Sequence, residues 1–241
     1  MLADFSLREW SAWAPGLESL AAWKSWSAAP FAIPSDGEPA LPGVPAMLRR
    51  RADRFGRMAL RVASDVLGDA RGVPVVFVSR HGSLGRSAAL LGDLASGLPL
   101  SPASFASSVH NAGIGVLGIA RADTAPCVAL AAGDARIAAM LAEIAAFLSD
   151  GYPRVLGVLC DEPPPAIYQP YIETEEPALA WAGLFSAPCA EGERLSLSAG
   201  AEALSAGNPV LAWLKWLLSD QQTFECAALG AGSSWKVQRR V

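Results

Sequence analysis

Residues 75–120 read VVFVSRHGSLGRSAALLGDLASGLPLSPASFASSVHNAGIGVLGIA, and residues 121–135 continue as RADTAPCVALAAGDA. The β-branched run over Pro74–Ser79 predicts a buried strand, and Ala125–Leu130 predicts a second one. A helix over Gly85–Ser96 is expected between them. Strands that alternate with helices of this length predict an α/β fold.

The same alternation extends in both directions from this stretch. On the N-terminal side, a strand over Phe5–Ala14 precedes one long helix, whose apolar stripe spans Leu48–Val66 and which ends at Gly68. On the C-terminal side the pattern predicts a helix, three strands, a helix and a last strand, at Ile137–Leu148, Arg154–Cys160, Ala178–Phe185, Arg194–Ser198, Pro209–Leu218 and Glu225–Gly230. We therefore expect residues 1–241 to form a single domain, a layered α-β-α fold with a mixed, largely parallel sheet.

The composition excludes several classes of protein. The chain has 241 residues, of which 52% are hydrophobic and 17% charged, and its formal net charge is −4. A negative chain gives no general attraction to nucleic acid. The apolar stretch Val210–Leu218 contains Lys215 and is shorter than the ~20 residues that a membrane-spanning helix needs. Since Asp4 precedes any basic residue, we expect no secretory signal and a cytoplasmic location.

Metal and disulfide chemistry is not indicated either. The four cysteines have no C-x-x-C pair and lie in apolar runs, which predicts buried, reduced thiols, at Cys127, Cys160, Cys189 and Cys226. The two histidines, His81 and His110, have no metal-ligand spacing. Asp161 and Glu162 are followed by three prolines, which predicts a solvated turn. We expect neither a metal nor another cofactor.

A glycine motif leaves two interpretations open. Gly113, Gly115 and Gly118 form a literal G-x-G-x-x-G, and Asp134 follows near the position of a ribose-binding acid. The motif binds a dinucleotide where a strand precedes the first glycine and a helix begins at the last. The segment before Gly113 is rich in serine and is a poor strand. The chain is therefore either a nucleotide-binding oxidoreductase or a protein whose glycines permit close packing of a buried helix.

Several short motifs in the quoted stretch resemble a known family. They are Ser79-Arg80-His81-Gly82, Ser101-Pro102 with Phe105, Ser108-Val109-His110-Asn111-Ala112, and Ala131-Ala132-Gly133. With them, the chain resembles the β-ketoacyl synthase-like N-terminal domain of chain length factor-type subunits in aryl polyene pigment biosynthesis. The resemblance spans nearly the whole chain and is most specific over residues 75–135. It implies one half of the thiolase-like condensing-enzyme fold.

The resemblance also implies where a nucleophile would stand. The Asn-x-x-x-Gly pattern of condensing enzymes matches Asn111 and Gly115, and their cysteine lies on a turn before a glycine-containing helix start. Alignment of that glycine with Gly133 places Leu130 at the nucleophile position, and leucine cannot form a thioester. An acyltransferase that acts through Cys127, within the preceding strand, stays open as an alternative.

A catalytically silent subunit is the role that the resemblance implies. Full condensing enzymes contain this half twice and take two catalytic histidines from the second half, whereas no histidine follows His110 here. The chain is therefore expected not to catalyse alone. We expect it to form a heterodimer with a full-length β-ketoacyl-acyl carrier protein synthase, through the strand before the nucleophile position, and to help to set polyene length. Phe105 and residues Gly113–Gly118 are candidates for the wall of the acyl tunnel.

A stripe of arginines suggests a further contact. Four arginines repeat on one face of the long helix, at Arg50, Arg54, Arg57 and Arg61. Such a face can dock an acidic partner, such as an acyl carrier protein, by electrostatic attraction. The alternative is a solvated helix face with pairs to Asp53 and Asp65 within the helix.

Overall fold

The computed structural model describes residues 2–172, 176–201, 207–228 and 233–240. Its strands are β1 (Ala3–Trp13), β2 (Val75–Val78), β3 (Cys127–Leu130), β4 (Arg154–Asp161), β5 (Leu179–Ser186), β6 (Glu193–Ala199), β7 (Thr223–Ala227) and β8 (Ser234–Arg239). Its α-helices are α1 (Leu20–Ala28), α2 (Ala46–Arg51), α3 (Arg54–Leu67), α4 (Leu84–Ala95), α5 (Pro102–Ala106), α6 (Ala112–Arg121), α7 (Arg136–Ser149) and α8 (Pro209–Leu217). Short 3₁₀ turns span Gly133–Ala135 and Ala166–Tyr171.

The strands form one mixed sheet in the order β3-β2-β4-β5-β1-β6-β8-β7. Strand β2 runs parallel to β3 and β4, whereas the five other pairings among the described residues are antiparallel. The prediction of a mixed sheet is confirmed, but the prediction that it is largely parallel is wrong. Every residue of β5 is buried, as in a parallel strand, yet β5 is antiparallel to both neighbours. Helices on both faces of the sheet account for this burial without parallel pairing.

Helices α1, α7 and α8 pack on one face of the sheet, and α3 and α6 pack on the other. The side chains of β2 alternate between the two faces of the sheet. Val76 and Val78 lie in the core formed with α1, α7 and α8, and Val75 and Phe77 lie in the core formed with α3 and α6. Among the described residues, neither core includes a side chain of α4 or α5. These two helices therefore lie outside the main packing layers.

The long helix predicted over Leu48–Val66 is two helices in the structure. Ala52 has extended backbone geometry, and Asp53 begins α3 by accepting a hydrogen bond of 2.9 Å from the Gly56 amide. The apolar stripe continues across the break, so its spacing does not reveal the interruption. Gly68 ends α3 with φ of +47°, which confirms the predicted helix end.

The C-terminal part of the chain closes the face on which α7 lies. Strand β7 pairs antiparallel with β8, a strand that the sequence analysis missed, while Gly230 of the predicted strand lies outside the described residues. Trp213 of α8 packs edge-on against Trp181, with ring centroids 5.8 Å apart, and Phe224 of β7 lies 5.3 Å from Trp213. Within the described ranges, no helix reaches the length and hydropathy needed to cross a membrane.

Candidate functional site

The end of β3 forms a turn into α7. Gly133 in this turn has φ of +52°, a left-handed conformation that favours glycine. The carbonyl of Leu130 accepts a hydrogen bond of 3.2 Å from the Ser79 amide, and it lies 3.0 Å from His110 Nε2. The expected nucleophile position is therefore at a strand-to-helix turn, and the side chain there is leucine.

The loop after β2 is fastened to this turn by several of the motif residues. Ser79 Oγ donates a 2.9 Å hydrogen bond to Asp161 Oδ1 and accepts one of 2.8 Å from the Gly82 amide. Gly82 has φ of +63°, and a Cβ there would lie 2.8 Å from His110 Nδ1. His81, beside it, is exposed overall, but partial desolvation of its ring and the positive charge of Arg80 lower its pKa. The structure thus brings the motifs around residues 79–82, 110 and 130–133 together.

A cluster of buried charges lies beside this loop. Arg136, the first residue of α7, is fully buried, and its Nη2 lies 2.9 Å from both carboxylate oxygens of Glu176. Its Nε lies 3.3 Å from Asp161 Oδ2. Arg80 Nη1 donates to Glu176 at 3.1 Å and to Asp134 at 2.9 Å. Burial raises the pKa of Asp161 to about 6, although Arg136 acts in the opposite direction.

The sequence analysis missed this cluster. It placed Asp161 in a solvated turn, which is wrong, because Asp161 is only 4% exposed and ends the buried strand β4. A usable signal was Arg136, a charged residue that begins an otherwise apolar helix turn. Its partner Glu176 lies far along the chain, and Asn208 Nδ2 donates to Glu176 at 2.5 Å. Among the described residues, no group of three or more His, Cys, Asp or Glu side chains could hold a metal ion.

Cys127 differs from the other cysteines. It begins β3, at the opposite end of the strand from Leu130, and it is exposed, so the prediction of a buried thiol is wrong there. Partial burial of the thiol raises its pKa, which reduces the thiolate fraction at neutral pH. Cys160 and Cys226 are buried, as predicted, and Cys189 is half-buried.

The glycine motif lies within α6. No strand precedes Gly113, because α5 and a turn come before it, so the nucleotide-binding interpretation is wrong. A Cβ on Gly113 would lie 3.0 Å from the Cα of Gly56 in α3, and one on Gly118 would lie 3.1 Å from the Asp123 carbonyl. Gly115 adjoins open space. Close packing against another helix is therefore confirmed for Gly113, whereas the expectation of a buried helix is wrong, because Ile114 and Leu117 are the buried residues of α6 and Gly115 and Ile119 are exposed.

The arginine stripe is largely neutralised within the chain. Its ion pairs are Arg54–Glu162, Arg57–Glu38 and Arg61–Asp65. The pair to Asp65 was predicted, whereas Asp53 instead accepts hydrogen bonds from Ser83 and Arg86. Burial would raise the pKa of Asp53, but hydrogen bonds from Gly56, Ser83 and Arg86 hold it below its usual value. Arg50 has no hydrogen bond or ion pair among the described residues, and the docking role of the stripe stays a prediction.

The remaining motif residues lie on α5 and on the turn into α6. Ser101 caps α5, Pro102 is its first residue, and Ser108 Oγ donates to the Phe105 carbonyl at 2.8 Å. Asn111 precedes α6 and is exposed. Large apolar side chains are exposed along this part of the chain, and we call them the α4–α6 face: Leu91, Leu94, Leu98, Leu100, Phe105, Val109 and Ile119.

A cavity of about 480 Å³ lies between α2 and helices α4–α6. Small side chains predominate in its lining, which includes Ala103, Ala106, Gly113 and Gly115. Arg50 lines one side of it. The cavity therefore adjoins both the glycine motif and the unpaired arginine.

The mixed sheet covered by helices on both faces, with a glycine turn leading from the edge strand into α7, has the thiolase-like condensing-enzyme fold, which the chain shares with the solved structures given below. The chain belongs to the family described as beta-ketoacyl synthase, N-terminal domain, whose model matches residues 23–236. No curated protein matches the chain.

Solved structures agree with this assignment. A chain from the complex of the ketosynthase ApeO with its chain length factor ApeC, from Xenorhabdus doucetiae, is 28% identical with a TM-score of 0.84. That match covers 98% of this chain and 99% of the other. A beta-ketoacyl synthase from Burkholderia phymatum STM815 shares the fold at 13% identity and a TM-score of 0.61, over 83% of this chain and 65% of that one. The AntDE:AntF complex, a type II PKS acyl-carrier protein with its ketosynthase, matches at 14% identity and a TM-score of 0.56, over 83% and 70%.

Proposed function

We propose that the chain is a chain length factor-type subunit that pairs with a full-length β-ketoacyl-acyl carrier protein synthase and does not itself catalyse condensation. The solved relative at 28% identity comes from a complex of a ketosynthase with its chain length factor, and the two chains match over nearly their whole lengths. Aryl polyenes are the product class that the sequence resemblance supports.

The free edge of β3 is the observation that carries the proposal. Among the residues that the structure describes, β3 is an edge strand that pairs with β2 on one side only. The carbonyls of Pro126 and Leu130 accept hydrogen bonds from the β2 side, at 2.9 and 3.2 Å. Because backbone groups alternate in direction along a strand, those of Cys127 and Ala129 point away from β2. β3 contains neither a charge nor a proline, the usual means by which an edge strand avoids pairing with another chain.

The α4–α6 face supports the same role. Phe105 is 66% exposed, Ile119 is 65% exposed and Leu94 is 60% exposed. Exposed apolar side chains concentrated in one region are typical of a protein–protein interface. They belong to the segment that connects β2 to β3, so one partner could cover the edge strand and these helices together.

The turn after β3 supports the proposal that this subunit does not itself catalyse condensation. Leu130 stands where a thiol nucleophile would be needed, and its carbonyl is already engaged by Ser79 and His110. His81 and His110 are the only histidines in the sequence, so a pair of histidine bases beside a substrate would have to come from the partner.

The cavity between α2 and α4–α6 suggests how the subunit would act on chain length. Gly113, Gly115 and Val116 line it, and these residues fall within the segment expected to wall the acyl tunnel. Small side chains leave space for an apolar chain, and larger ones would shorten that space. In this proposal the depth of the cavity limits elongation by the partner.

Co-expression with a full-length ketosynthase and its carrier protein tests the proposal. We expect a one-to-one complex by size-exclusion chromatography, and intact-mass measurement after incubation with an acyl-carrier thioester should place the acyl group on the ketosynthase alone. A stable acyl adduct on this chain that disappears in Cys127→Ser would favour the acyltransferase alternative. Failure to co-purify with the ketosynthase would overturn the subunit role.

A further inference from the structure

The imidazole of His110 lies between the turn that precedes α6 and the end of β3. Its Nε2 lies 3.0 Å from the carbonyl oxygen of Leu130, the last residue of β3. Because a carbonyl oxygen only accepts hydrogen bonds, Nε2 carries a proton and is the donor. The ring also packs edge-on against Phe77 of β2, with ring centroids 5.8 Å apart. One half-buried side chain therefore contacts both strands at this edge of the sheet.

The loop after β2 closes on the same ring from the other side. A Cβ at Gly82 would lie 2.8 Å from His110 Nδ1, and the φ of +63° at Gly82 is a left-handed conformation that favours glycine. The Gly82 amide donates to Ser79 Oγ at 2.8 Å, and the Ser79 amide donates to the Leu130 carbonyl at 3.2 Å. The loop and the strand end together leave His110 one place to lie.

His110 also ends the segment that carries most of the α4–α6 face. Residues 84–109 contain six of the seven exposed apolar side chains of that face, and neither α4 nor α5 contributes to the two cores. Where the segment begins, Ser83 and Arg86 each donate to Asp53 at 2.8 Å. Among the described side chains from α4 to the turn before α6, only His110 hydrogen-bonds to a strand. It is therefore the direct link between this face and β3.

We infer that His110 is a positioning residue for the partner ketosynthase. By donating to the Leu130 carbonyl, it holds the α4–α6 face in a fixed place relative to the free edge of β3, so that the partner meets both surfaces together. Two contacts held in a fixed relation bind more tightly than the same contacts on parts that move independently, because the second contact forms without further loss of freedom. The inference rests on the proposed function, in which these two surfaces form the interface.

The affinity of the chain for a full-length ketosynthase, measured by biolayer interferometry, tests this role. His110→Leu removes the donor and should weaken binding by about tenfold. The amide nitrogen of a glutamine reaches about as far as Nε2, so His110→Gln should keep the affinity within about threefold of the wild type. Wild-type affinity in His110→Leu, or no rescue by His110→Gln, would overturn the inference.

Phe224→Leu is the control for a general loss of stability. Phe224 lies in β7, at the opposite edge of the sheet from β3, and its ring packs against Trp213. The substitution lowers stability through the core, yet it should change the affinity for the ketosynthase by no more than about twofold. A loss of affinity in Phe224→Leu as large as that in His110→Leu would overturn the positioning role.

A double-mutant cycle distinguishes positioning from direct contact with the partner. Phe105→Asp places a charge in the α4–α6 face and should itself weaken pairing. If His110 acts by linking this face to β3, His110→Leu should weaken binding of the Phe105→Asp chain by no more than about twofold, because the linked contact is already lost. Fully additive losses would assign His110 a contact of its own and overturn the inference.

Hydrogen exchange of the chain alone distinguishes failure of this inference from failure of the proposed function. In His110→Leu, the amides of α4 should exchange about tenfold faster than in the wild type, while those of α7 keep their rates. Unchanged exchange in α4 would overturn the positioning role whether or not the chain pairs. A wild-type chain that never pairs with a ketosynthase would refute the subunit role, whereas faster exchange would still support the link from His110 to β3.

Discussion

Arg136 Nη2 lies 2.9 Å from both carboxylate oxygens of Glu176, and neither side chain is more than 1% exposed. The same guanidinium donates through Nη1 to the Gly133 carbonyl at 2.9 Å, within the turn that follows Leu130. One buried arginine therefore joins the turn after β3 to the segment before β5. Because Arg136 begins α7, its contacts hold the turn after Leu130 against the segment that precedes β5.

Arg136→Met tests how much the buried Arg136–Glu176 ion pair contributes to the free energy of unfolding. Methionine fills similar space but leaves Glu176 buried without its main cation, so the free energy of unfolding should fall by about 3–5 kcal/mol. Urea denaturation measures the loss. Arg61→Met is the control, because its pair with Asp65 is partly exposed and should contribute no more than about 1 kcal/mol. Equal losses in the two variants would contradict the argument from burial.

Local patterns predicted the elements of the fold better than their arrangement. The apolar run predicted where β5 lies in the sequence, but it did not predict whether β5 runs parallel or antiparallel to its neighbours, since strands buried on both faces occur in both arrangements. The break at Ala52 was hidden because the apolar stripe continues on either side, although Asp53 is a typical helix cap. The Arg136–Glu176 pair joins residues 40 apart in the sequence, and nothing local connects them.

The glycine motif offers a matched pair of substitutions. Gly113→Ala places a methyl group 3.0 Å from the backbone of Gly56, and such overpacking should cost about 1–3 kcal/mol. Gly115→Ala meets nothing within 4 Å and should stabilise α6 by up to about 1 kcal/mol, because alanine favours helix more than glycine. Chemical denaturation of both variants checks the difference. Stabilisation by Gly113→Ala would show that the two helices can separate freely.

Glu162 should make stability depend on pH. Burial raises its pKa from 4.5 to about 7, with Arg54 acting in the opposite direction. Between these values the unfolded chain has released a proton that the folded chain retains, so this contribution to stability declines as pH rises through the window. Glu162→Gln removes the titrating group. Relative to the wild type, the variant should gain about 1 kcal/mol or more between pH 5 and pH 8 in urea denaturation. Parallel pH profiles would refute the raised pKa.

Proline substitutions at two adjacent positions of β3 distinguish a loss of pairing with the partner from a loss of folding. The Ala129 amide points away from β2, so Ala129→Pro should preserve the internal ladder and most of the stability, yet remove a donor that a partner strand would need. We expect a folded chain that no longer co-purifies with the ketosynthase. Val128→Pro removes an amide directed at β2 and should lower the free energy of unfolding by about 3 kcal/mol or more. Circular dichroism, urea denaturation and pull-down distinguish the two, and an Ala129→Pro chain that still pairs normally would exclude β3 as the contact strand.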